Sequence, residues 1–247
     1  MIAVTLEYRP FTLIPWIRKI DAKFPSRWSE LKPVQIVAIP RLQRGLLTDV
    51  KMLQIFLGIK KNVAKRIESY QTYYVFQNLK FIREPGPLST FVIKNIMGYK
   101  APRDRLEGVS FGAFMFGDTY YQNYIGGKLE DLNRFIASFY TDKKGFAEDR
   151  IQDIAKIIKV SDPAKREAIA INYALIRAWL RDSYPWVFQK ADEMSESDRK
   201  GGWVGVFDRL VKDDLANQDK YAKLPVSAVL RHLNIIMKEY YKYGGKV

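Results

Sequence analysis

The sequence has one histidine, His232, no cysteine, and no serine in a G-x-S-x-G setting, so the inventory for nucleophilic or thiol chemistry is short. A catalytic base or metal ligand needs partners, and the acidic residue nearest to His232 along the chain is Glu239, seven positions on. Asp118, Asp213 and Asp214 could suggest a centre for a hard cation, which wants several oxygen ligands on facing elements. Helical neighbours such as Asp213 and Asp214 point about 100° apart. A solvated or salt-bridged face beside Lys212 and Lys220 is the simpler reading. Gly108, Gly112, Gly117, Gly126 and Gly127 do not spell a phosphate loop, which needs a tight glycine turn followed by Lys-Ser or Lys-Thr. Close helix packing accounts for Gly112 and Gly117. The expectation is a protein that is not an enzyme, with no catalytic residue, no metal and no cofactor.

What the sequence offers instead is cations beside aromatic rings. Arg41 and Arg44 come first, then Lys60, Lys61, Lys65 and Arg66 ahead of Tyr70, Tyr73 and Tyr74, then Lys100, Arg103 and Arg105. These cations are candidate contacts to an acidic partner or to DNA phosphates, and the rings could stack on bases. The chain carries 41 Lys plus Arg against 27 Asp plus Glu, a formal +14, and the surplus is uneven. Residues 1–105 hold 19 basic and 7 acidic side chains, net +12, and residues 106–247 hold 22 and 20, net +2. The N-terminal part is therefore the electrostatic partner-binding half, facing nucleic acid, an anionic membrane surface or an acidic protein; solubility alone is the plainer alternative. The tyrosines also continue an apolar helical stripe through Val63, Ile67, Tyr70, Tyr74 and Phe81, which favours core packing over stacking. No base-reading signature is present, so any nucleic-acid contact would be nonspecific.

The elements that must position these residues read as mainly α: an irregular helical bundle with an extended N-terminal arm and a small β-hairpin near 91–100. Pro10, Pro15 and Pro25 around Trp16 and Trp28 suggest the arm at 1–28, with Phe11, Trp16 and Trp28 as its partner-binding side chains. Residues 29–247 then form a single helical domain with a sub-boundary near 85–108. Helices are expected over 29–44 with a kink near Pro40, over 48–57 between a Thr48 cap and Gly58, and over 61–84, ended by Pro85, Gly86 and Pro87. Others follow from Ser110 to Gly126, over 129–140, over 147–160 and from a Ser161 cap with Pro163 in the first turn to Tyr184. After a polar linker at 189–201, two last helices occupy 203–215 and 225–243. Glu7, Arg9, Pro10 and Pro15 interrupt the apolar N-terminus, and no run approaches the roughly 18 to 20 residues of a membrane span. A soluble chain made in the cytoplasm, without membrane contact, is expected.

Three stretches carry a resemblance: residues 111–124 (FGAFMFGDTYYQNY), 172–180 (NYALIRAWL) with 184–188 (YPWVF), and 213–222 (DDLANQDKYA) running into 225–233 (PVSAVLRHL). Over roughly residues 35–243 the chain resembles proteins of phages and prophages of Bacteroides-type bacteria, most of all tail or head-to-tail connector components of crAss-like phages. The resemblance implies a virion structural protein forming a homo-oligomeric ring, twelve-fold where it matches a portal, beside the portal and other tail proteins and around passing DNA. A tail assembly chaperone is the sibling possibility, and a nonspecific nucleic-acid-binding protein is the alternative from charge. Packing of the cationic half against acidic protein is favoured over DNA, because a strongly basic lumen would hold DNA that should slide. The resemblance transfers no catalytic residue.

Overall fold

The computed structural model describes residues 1–11, 16–84, 86–188, 202–211 and 214–242, and these are mainly helical. The chain falls into two compact units, Met1–Leu88 and Ser89–Val247, dividing within the sub-boundary read near 85–108 and not after residue 28.

The first unit opens with a β-hairpin, which corrects the reading of 1–28 as an arm. Strand β1 (Ile2–Tyr8) pairs antiparallel with β2 (Arg18–Phe24), setting Val4 opposite Ala22 and Leu6 opposite Ile20. Pro10 and Pro25 lie just outside the ladder, where a missing N–H leaves no gap in it. The apolar alternation thus gives one inward face, and Leu6 packs with Leu53, Ile59, Ala64, Ile67 and Val75. Helices α1 (Pro33–Gln43), α2 (Asp49–Leu57), α3 (Lys61–Ala64) and α4 (Ser69–Asn78) complete the unit. Pro33 opens α1 and Pro40 lies within it. Thr48 caps α2 by accepting the Lys51 N–H, and Gly58, at φ 70°, ends it in the left-handed region that glycine tolerates best. Buried Gln35 donates to the carbonyls of Ile55 and Phe56 and so satisfies the C-terminal end of α2.

The single helix expected over 61–84 is broken twice. Ile67 leaves helical geometry to bridge Tyr8 of β1, and after Asn78 the chain tightens into a 3₁₀ turn at Lys80–Arg83. A strand edge thus competes successfully for backbone groups that the periodicity assigns to a helix.

In the second unit a two-residue turn, with Met97 and Gly98 both at positive φ, joins β3 (Asn95–Ile96) to β4 (Tyr99–Lys100). The helices are α5 (Phe111–Ile125), α6 (Asp131–Phe139), α7 (Ile151–Lys159), α8 (Pro163–Ser183), α9 (Gly202–Val211), α10 (Gln218–Lys223) and α11 (Val226–Lys242). Ser110 caps α5 as expected. At α8 the cap is Asp162, whose carboxylate accepts the Ala164 N–H, while Ser161 donates back to the Ile158 carbonyl. The expected linker at 189–201 lies outside the described residues.

The core of this unit is aromatic. Tyr173 of α8 has its ring centroid 4.9 Å from Tyr121, 5.0 Å from Phe135 and 5.0 Å from Phe139. Gly117 lets α6 come close to α5, because a Cβ there would fall 2.2 Å from the Phe139 ring. Gly117→Ala should therefore destabilise the chain by about 1 to 3 kcal/mol, measured as a lower urea midpoint at an unchanged slope.

Candidate functional site

The surface that combines charge with aromatic area is built around α3 and α4. Gln71 turns inward and clips α4 to β1: its side-chain oxygen accepts the Glu7 N–H at 2.7 Å and its amide donates to the Glu7 carbonyl at 2.9 Å. At about 100° per residue, fixing Gln71 inward also turns Val75 and Thr72 inward, and all three are buried. The same rotation sends Tyr70, Tyr73 and Tyr74 outward within an arc of about 100°. They are 70%, 64% and 59% exposed, and none meets another aromatic ring among the described residues. The expectation that these tyrosines pack in a core stripe is thereby corrected. The break at 65–68 resets the helical phase, so the stripe through Val63 and Ile67 does not continue into α4.

Lys60, Lys61, Lys65 and Arg66 are all exposed immediately before this helix. Among the described residues Lys60, Lys61 and Lys65 make no ion pair, while the Arg66 guanidinium lies over the Phe11 ring, 5.6 Å from its centroid. The structure thus brings Phe11, from the turn end of the hairpin, to the cationic run. Trp16 is also at that end and 70% exposed. Trp28 is not available to a partner: it is buried, its indole N–H donates to the Glu84 carbonyl at 2.9 Å, and its ring meets Phe81 edge-on. Arg41 and Arg44 are exposed at the end of α1. Lys100, Arg103 and Arg105 belong to the second unit, where Arg103 pairs with Glu107 at 3.0 Å and Arg105 with Asp104 at 3.9 Å.

A buried charged constellation in the second unit centres on Asp118; Asp131, also buried, pairs separately with Arg134 at 2.6 Å. Asp118 is 2% exposed and accepts from the Tyr173 hydroxyl at 2.9 Å, the Trp203 indole N–H at 2.8 Å and the Arg177 guanidinium at 3.0 Å. Three donors on two carboxylate oxygens tie α5, α8 and α9 together. Sequence reasoning raised Asp118 as a cation ligand but gave no sign of these partners, which lie 55, 59 and 85 positions away. Of the other residues weighed for chemistry, His232 is exposed on α11, and Asp214 accepts from the Asn217 side chain at 2.8 Å; Asp213 lies outside the described residues.

An open groove of about 1130 Å³ runs between α5, the 141–148 loop and α10, with Arg103, Glu107, Glu148, Asp219 and Lys223 among its lining side chains. Among the described residues no group of three or more His, Cys, Asp or Glu could hold a metal ion. No helix among them is long and apolar enough to cross a membrane. Comparison with protein-family models, curated proteins and solved structures finds no match.

Two measurements check this geometry. Asp118→Ala strands the mostly buried Arg177 charge and two neutral donors, and should cost about 3 to 5 kcal/mol in urea unfolding, with a red shift of tryptophan emission as Trp203 loosens. Burial, helped by the nearby Asp118 charge, raises the Tyr173 phenol well above its ordinary value, and burial alone does the same for Tyr140. The stability tied to these two neutral phenols is complete below the unfolded value of about 10 and is lost as pH rises past it. Absorbance at 295 nm should show them ionising only in the step where near-ultraviolet circular dichroism collapses.

Proposed function

We propose that this chain is a non-enzymatic structural subunit of a bacteriophage particle, forming an oligomeric ring in the head-to-tail connector or the tail. The resemblance of residues 111–124, 172–180 with 184–188, and 213–222 with 225–233 to phage proteins supplies the setting. The observation that carries the association role is the turn end of the hairpin, where Phe11, Trp16 and Ile17 stand 58%, 70% and 54% exposed beside Arg18 and Lys19. Three large exposed apolar side chains just beyond the paired strands suit docking onto a neighbouring subunit better than they suit a free monomer. Closure of the Asp118 network inside the second unit also supports the non-enzymatic reading, since its charged and hydroxyl groups already spend their hydrogen bonds on one another. A connector subunit remains in the finished particle, whereas a tail assembly chaperone acts by the same kind of surface and departs.

Native mass spectrometry of the purified chain should show a closed oligomer, and the double change Trp16→Ala with Ile17→Ala should shift it to monomer at the same concentration. Presence of the chain in purified particles at a fixed ratio to the portal supports the connector. Its absence from particles removes that reading.

A further inference from the structure

We propose that the outer face of α3 and α4 binds single-stranded nucleic acid, with bases stacking on Tyr70, Tyr73 and Tyr74 and phosphates held by Lys60, Lys61, Lys65 and Arg66. The inference does not depend on the assembly reading. It rests on the orientation of α4 described above. The Gln71 clip leaves that helix no freedom to bury its tyrosines, so the first unit keeps three broad π surfaces in water. Tyr70 and Tyr74 are one helical turn apart, about 5.4 Å along the axis, and Tyr73 lies beside them on the same arc.

The charge around the rings selects the occupant. Residues 60–83 contain six cations, Lys60, Lys61, Lys65, Arg66, Lys80 and Arg83, against one carboxylate, Glu68. Tyrosine and arginine are enriched at the centres of protein interfaces, but lysine is depleted there, and this run is lysine-rich. Lysines with no ion pair among the described residues, next to exposed rings, match the arrangement by which single strands are held without sequence preference: cations along the backbone and aromatic platforms for the bases. A duplex hides its base faces, and so could use the cations but not the tyrosines.

The test is fluorescence anisotropy of the full chain with labelled dT20 across a salt series. Binding should fall with a log–log slope of roughly −3, since four neutralised phosphates on a single strand contribute about 0.7 each. Changing Lys60, Lys61 and Lys65 together to Gln should flatten the slope to about −1. Changing Tyr70, Tyr73 and Tyr74 together to Ala should weaken dT20 binding tenfold or more, with the far-ultraviolet circular dichroism unchanged, and changing them to Phe should restore it, because stacking needs the ring and not the hydroxyl. A labelled 20-base-pair duplex should bind with no dependence on the tyrosines. The proposal is overturned if dT20 is not retained at 50 mM salt, or if the alanine variant binds it as tightly as the parent. It is equally overturned if labelled polyglutamate binds the parent and loses as much affinity as dT20 in the alanine variant, which would assign the face to an acidic protein.

Discussion

A backbone amide that leaves water without a helix or sheet to receive it must find a side chain, and in this chain that requirement fixes both units. Gln71 supplies both partners for Glu7 at the edge of β1. Fully buried Asn172 accepts from the Val92 N–H at 2.6 Å and donates to the Thr90 carbonyl at 3.0 Å, doing the same for an irregular segment. Tyr140 then donates to the Ile93 carbonyl at 2.6 Å. Residues 89–93 pair with no strand among the described residues, and two polar side chains from α8 and the end of α6 replace one. Each amide or phenol also sets the rotation of its own element, so a local hydrogen-bond requirement decides which side chains face outward.

That logic explains what could be read in advance. Most helix boundaries are encoded locally: Thr48, Ser110 and Pro163 begin helices, Gly58 ends one, and Leu175, Ile176 and Leu180 are buried where the period of α8 puts them. The hairpin is equally local in its alternation of Val4, Leu6 and Tyr8 against Ile20, Ala22 and Phe24. Its prolines hide it, because their effect depends on whether they fall inside or outside the ladder, and that is settled only by the register.

The cationic, tyrosine-bearing face of α3 and α4 was legible in composition and not in orientation. Lys60, Lys61, Lys65 and Arg66 stand out in the sequence, and so do the three tyrosines. Tyrosine is compatible with either side of a helix, so its place follows from the phase of α4. The phase follows from Gln71 and from the bridge between Tyr8 and Ile67, contacts that span 64 and 59 positions. Asp118 presents the same difficulty: its identity is plain, but its three donors arrive from distant helices, and periodicity carries no information about them.

The bond from Trp203 to Asp118 also bears on how the second unit comes into being. A ribosome releases the chain from its N-terminus, so α5 and α8 can meet, and Arg177 and Tyr173 can reach the carboxylate, well before residue 203 has emerged. Until then one oxygen of Asp118 and the rings of Phe111 and Phe114, against which Trp203 packs edge-on, lack their indole cover. The cover of that aromatic interior is thus supplied by the late part of the chain, by Trp203 against Phe111 and Phe114 and by Phe207 of the same helix against Phe111.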